Sequence, residues 1–186
     1  MKTYLLQRIN FFGHRLNLAA ACGVVLIFIV VIVCFLKGGS HDQNALSLEA
    51  LKISQDVRSA FTSKPDYRGL NNDYIISHKI ISPSLIRQNK IFSRFQSEIK
   101  IGRDEKGNTS IAGDYHFALT YQNLNRRKCI ALLTSPFSAD SGLVSIVLKN
   151  DKSHEFTYGG EHTLPVAKNS ADTFCKTKNS ITLSFE

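Results

Sequence analysis

The residues best able to do chemistry in this 186-residue chain are few and scattered: four cysteines, six histidines and 15 carboxylates. Cys22 and Cys34 fall inside a long apolar run, where a thiol behaves as a small hydrophobic group. Cys129 and Cys175 fall in the polar remainder, with 45 residues between them. They lack the CxxC or Cys-His spacing that builds a metal site. The histidines stand singly. His154 and His162 flank Tyr158-Gly159-Gly160, which reads as a surface turn rather than a ligand pair. Asp104 and Glu105 are neighbours in a turn, not a facing pair of acids. The HExxH, GxSxG, P-loop and GxGxxG motifs are absent. Catalytic residues, metal ligands and cofactors are therefore not expected, and the chain reads as a non-enzyme.

The basic residues form the clearest cluster. Arg126-Arg127-Lys128 lie together, and Lys176 and Lys178 follow the last cysteine. Such a group is either a solvated turn or a contact surface for an acidic partner, DNA or an anionic surface polymer.

The elements that must position these residues begin with a membrane anchor. Leu16 to Leu36 runs for 21 residues without a charge. As a helix it would span about 31 Å, the thickness of a bilayer core. The run is longer than the core of about 7–15 residues found in a secretory signal. Lys2, Arg8 and Arg15 precede it with no acidic residue among them, which places the N-terminus in the cytoplasm and the rest outside. That remainder holds 20 basic and 15 acidic residues, a surplus of five positive charges. In an oxidising compartment Cys129 and Cys175 are most simply read as one disulfide. A loop of that length would stabilise the fold by about 4 kcal/mol in the chain-entropy account.

Four segments follow: a cytoplasmic leader over 1–15, the transmembrane helix over 16–36, an amphipathic helix over 37–63 and a globular head over 64–186. In the third, Leu46, Ala50, Ile53, Val57 and Ala60/Phe61 recur every three or four residues and mark one apolar face. Pro65 ends the helical pattern, and a short helix is expected between Asp73 and Gln88. Glu98 to Ile101 and Ser110 to Tyr121 alternate apolar with polar about a turn at 104–108, as an antiparallel hairpin does. Cys129 to Thr134 reads as a short helix, and Leu143 to Leu148 and Ser180 to Phe185 as strands. The fold class is α+β, an amphipathic helix laid on an antiparallel sheet.

Specific segments carry a resemblance. They are Asp66-Tyr67-Arg68-Gly69-Leu70-Asn71-Asn72, then Ile75-Ile76, then Lys79 to Ile86, Lys128 to Leu132, and Cys175 with Asn179 to Phe185. Together with the basic leader and single apolar helix, this layout resembles the type IV pilins. In detail it is similar to the type IVb branch, with its conjugative thin-pilus and toxin-coregulated pilus subunits. The resemblance implies a pilin-like α/β roll and a structural, non-catalytic role. It implies N-terminal helices that pack with other pilin subunits or pilus assembly proteins, an inner-membrane precursor and a periplasmic head exported on assembly. Pilin precursors are cut after a glycine, and Gly13 is the candidate here, leaving His14 first. The family's glutamate at the fifth mature position is replaced by Leu18. That departure points to a minor subunit, or to a retained leader and a membrane-tethered binding module.

Overall fold

The computed structural model describes residues 45–104 and 113–186. The leader, the apolar span and the Gly13, His14 and Leu18 positions lie outside these residues, as does most of the expected 104–108 turn. Among the described residues no helix is long and apolar enough to cross a membrane.

Residues 45–61 are helical and are called α1. The three-four spacing of Leu46, Ala50, Ile53, Val57 and Phe61 puts all five on one side, where they are buried. Leu48, off that stripe, is exposed. The helix ends at Phe61, ahead of Pro65. Next come α2 (Asn72–Ser77), a 3-10 turn (Pro83–Leu85), β1 (Ile86–Arg87), β2 (Lys90–Phe92), β3 (Glu98–Asp104) and β4 (Gly113–Leu124). The second half comprises α3 (Arg126–Leu133), a 3-10 turn (Ala139–Ser141), β5 (Leu143–Lys149), β6 (Ser153–Thr157), α4 (Lys168–Phe174) and β7 (Asn179–Phe185).

The seven strands form one sheet in the order β1-β2-β3-β4-β7-β5-β6, with every neighbouring pair antiparallel. Strand β7 thus lies at the centre, between β4 and β5. Alternation explains how it fits. Phe117, Leu119 and Tyr121 of β4 oppose Phe185, Leu183 and Ile181 of β7, and all six are buried. The intervening Ala118, Thr120, Thr182 and Ser184 point to the other face, where the Thr120 and Thr182 hydroxyls are 3.0 Å apart. The apolar face shares one core with α1. Phe61, Tyr67, Phe117 and Phe185 form an unbroken chain of ring contacts between helix and sheet, each 4.8–5.5 Å between centroids.

Arg58 fixes the angle of α1. Its Nε donates to the Glu186 carbonyl and its Nη2 to the Ser141 carbonyl, both at 2.8 Å. The guanidinium occupies the space beside Gly142, where a Cβ atom would fall 2.2 Å from Nη2. Gly142 also has φ +69°, so both room and conformation require glycine there. At the other end of α1, Glu49 is buried. Its Oε2 accepts the Arg94 backbone N–H at 2.8 Å and lies 3.5 Å from Arg94 Nε. Burial raises the Glu49 pKa, against the opposing pull of Arg94.

The stretch between Asp73 and Gln88 holds the expected short helix, α2, and a turn opened by Pro83, and adds the start of a small β1–β2 hairpin. Beyond the disulfide-side strands, β6 and α4 are additional elements. Asn72 shows how a sheet edge is closed without a strand: its Nδ2 donates to the Ile99 carbonyl at 2.9 Å, and its Oδ1 accepts the Ile101 N–H at 2.7 Å. One side chain thereby bridges β3 at the point where its pairing with β2 ends at Ile99.

Candidate functional site

The chemistry-bearing residues converge at one end of the sheet. Asn125 starts α3, its Oδ1 accepting the Lys128 N–H at 3.0 Å. The helix then points Cys129, Leu132 and Leu133 into the core. Cys175 ends α4 and is joined to Cys129, with the two Cα atoms 5.9 Å apart. The expected disulfide is therefore present, and it ties α3 to α4.

The five candidate basic residues stand beside these two cysteines in sequence. Arg126, Arg127 and Lys128 precede Cys129, and Lys176 and Lys178 follow Cys175. The segment 126–128 is the first turn of α3 rather than a loop, so three cations sit at the positive end of a helix dipole. Local contacts offset that repulsion. Arg126 pairs with Asp172 of α4 at 2.9 Å, and Lys128 Nζ donates to the Phe95 carbonyl. Lys176 Nζ donates to the Thr173 carbonyl at 3.3 Å. Arg127 and Lys178 are exposed.

Asn179 holds this end in shape. Its Oδ1 accepts the Lys176 N–H at 2.8 Å and the Asn150 Nδ2–H at 3.2 Å. Its Nδ2 donates to the Leu124 carbonyl at 3.0 Å and to the Lys176 carbonyl at 2.6 Å. Asn150 also donates to the Phe174 carbonyl. One buried amide thus joins the end of β4, the α4–β7 loop and the turn after β5. No sequence signal marks it, because a lone asparagine opening an alternating strand resembles any turn residue.

The Tyr158-Gly159-Gly160 turn is exposed, as expected, and His154 and His162 flank it. Both are half-buried, with ring centroids 5.9 Å apart. Phe174 of α4 lies 4.6 Å from His154 and 5.2 Å from His162, and Phe156 packs on the same cluster. Desolvation lowers the His154 pKa, and the nearby charges of His162, Lys152 and Lys176 lower it further. Among the described residues no group of three or more His, Cys, Asp or Glu side chains could hold a metal ion.

Comparison with known proteins places the architecture. The sequence profile of the bundlin family matches residues 40–183, which is most of the chain and all of the sheet except its last two residues. The chain belongs to the bundlin family, within the type IVb pilins. Two solved structures are similar to it. One is TcpA, a type IV pilin from the Vibrio cholerae El Tor biotype, at 12% identity and a TM-score of 0.53, covering 79% of this chain and 100% of that one. The other is a type IVb pilin from Salmonella typhi, at 13% identity and a TM-score of 0.46, covering 78% and 95%. No curated protein sequence matches. The bundlin-family chain therefore shares the helix-on-antiparallel-sheet fold of the type IV pilins.

Proposed function

We propose that this protein is a structural subunit of a type IVb pilus or a related filament, present as a minor component. Membership of the bundlin family over residues 40–183 is the observation that carries this reading. The buried stripe of α1, fixed to the sheet by Arg58, suits a helix that must carry a head at a set angle in an array. In this reading residues 1–15 are a cytoplasmic leader, 16–36 span the inner membrane, and the head matures in the periplasm with its disulfide. The subunit acts by packing and display, without a reaction.

Minor status rests on the leader. Cleavage after Gly13 would expose His14 and put Leu18 where a registering carboxylate is usual, so the charged docking signal of a shaft subunit is absent. A terminal subunit depends less on that signal.

The second reading is a membrane-tethered module that binds DNA or a surface polymer through Arg126, Arg127, Lys128, Lys176 and Lys178. The disulfide supports it by joining the two segments that carry these residues. Use of Arg126, Lys128 and Lys176 in internal contacts weighs against it. Phosphate contacts would make DNA binding fall steeply with salt.

The deciding experiment is the intact mass and N-terminal sequence of the protein from native membranes and from sheared surface filaments. A chain starting at His14 and recovered with filaments supports the minor pilin. A chain retaining Met1 and confined to membranes overturns it and leaves the tethered module.

A further inference from the structure

The turn between β2 and β3, residues 93–97, pairs most of its own backbone. The Ser93 N–H donates to the Ser97 carbonyl at 2.8 Å, and the Gln96 N–H to the Ser93 carbonyl at 2.9 Å. The Ser93 hydroxyl accepts the Phe95 and Ser97 N–H groups at 3.2 and 3.1 Å. The Arg94 N–H is left over, and Glu49 Oε2 of α1 accepts it at 2.8 Å. From α3, Lys128 Nζ donates to the Phe95 carbonyl. An acid and a base on two helices thus grip adjacent residues of one loop, while Phe95 packs against the core.

The acid is the unusual half of this grip. The Glu49 side chain is only 3% exposed, and its second oxygen, Oε1, has no hydrogen-bond partner among the described residues. Its counter-charge, Arg94 Nε at 3.5 Å, belongs to a side chain that is mostly in solvent. From β4, the nearby Tyr121 hydroxyl is also buried and unpaired, and burial together with the Glu49 charge holds it un-ionised. The next charged residues of α1, Lys52 and Asp56, pair with each other at 3.4 Å. Burial is the largest influence on Glu49 and raises its pKa, against the Arg94 N–H and guanidinium.

A proton on Glu49 therefore has two opposite effects. It removes a buried charge that is compensated from one side only, which favours the folded core. It also removes the charge that strengthens both Arg94 contacts, since hydrogen bonds to an ionised group are about twice as strong as neutral ones. We propose that Glu49 is an internal proton-binding site that acts as a release catch for the 93–97 loop: ionised, it holds the loop on α1, and protonated, it lets the loop open while the sheet stays folded. The sign separates this catch from acid denaturation. A carboxyl whose folded pKa is raised favours the folded state below its unfolded value, and that contribution is lost as pH rises through the folded value. Acid thus opens the loop through Glu49 without unfolding the head through it.

The test is hydrogen exchange, read by mass spectrometry, on the full-length oxidised chain in detergent micelles. It is followed from pH 7.5 down to the ordinary glutamate value of 4.5 and corrected for the intrinsic pH dependence of exchange. Protection of residues 93–97 should fall about tenfold on loss of the charge-assisted contact, while β4 and β7 stay protected. Glu49→Gln, neutral throughout, should abolish the step and leave the loop weakly protected at every pH. Arg94→Ala keeps the backbone contact but removes the counter-charge, so the step should move to higher pH. Asp56→Asn, the same charge change elsewhere on α1, and His154→Phe should both preserve it. Retention of the disulfide and of the far-ultraviolet spectrum shows that each variant is folded. A step that persists in Glu49→Gln, stays in place in Arg94→Ala, or disappears in either control would overturn the proposal, as would joint loss of protection in β4 and β7. A second measurement needs no variant: the carbon resonance of the wild-type Glu49 carboxyl should titrate above the ordinary glutamate value, at the midpoint of the loop step. Titration at or below that value overturns the catch.

Discussion

Asn179 and Gly142 show how much single residues decide in this head. Replacing Asn179 by Ala removes four hydrogen bonds at once and leaves the Leu124 carbonyl and Lys176 backbone groups without their partner. The expected loss is about 3 kcal/mol, since stranded buried groups cost about 1–3 kcal/mol each and partial relaxation recovers some of it. Equilibrium denaturant unfolding of the oxidised protein checks this; a loss below about 1 kcal/mol would show that the network is dispensable. Gly142→Ala forces a side chain into a left-handed conformation and into the Arg58 guanidinium. We expect about 2 kcal/mol of destabilisation from backbone strain together with displacement of Arg58. The double variant Arg58→Ala/Gly142→Ala should recover part of it, because the steric conflict is then gone. Additive losses in that thermodynamic cycle would mean that the conflict relaxes at no cost.

At the scale of elements, α4 is held by a covalent bond, an ion pair and a ring cluster rather than by a deep apolar face. It buries only Ala171 among its seven residues. Replacing both Cys129 and Cys175 by Ser should lower stability by about 4 kcal/mol on the loop-closure estimate, with hydrogen exchange rising first in α4. The exposed Arg126–Asp172 pair is too weak to compensate. The ring cluster adds a pH dependence. His154 has a folded pKa below its ordinary value, so the unfolded chain binds its proton more readily. Stability from this group is therefore present above the ordinary histidine pKa of about 6.5 and is lost as pH falls from there toward the lowered folded value. The melting temperature should be higher at pH 7.5 than at pH 5.5, and His154→Phe should flatten that difference. An unchanged slope in the variant would assign it to other groups. These same elements set the limit of what the sequence discloses. The α1 stripe and the alternation in β3, β4, β5 and β7 are legible because burial on one face imposes a period of 3.6 or 2. The α4 sequence Lys168 to Phe174 carries no such stripe, and Ser153 to Thr157 sits in an edge strand with one buried residue, so neither imposes a pattern. His154 and His162 read as surface because Phe174, which covers them, arrives from an element that cannot be foreseen. The cysteine pairing is legible, whereas the Asn72 contact with β3 has no local signature.

Taken whole, the described residues build one sheet whose disulfide end is formed by α3, α4 and the loops around Asn179, over the core that α1 shares with the sheet. Family membership explains this scaffold.

The strand order also sets a sequence of events in time. Strand β7 is synthesised after every other strand, yet it lies between β4 and β5 and supplies both with their hydrogen-bond partners. Until Asn179 to Phe185 has been made and is free to pair, the β1–β4 and β5–β6 portions are two separate half-sheets, each with a bare edge able to pair with another chain. The sheet consequently cannot close before its last strand exists. A newly made chain needs protection of those edges for that interval, and a truncation inside the last strand would prolong it indefinitely.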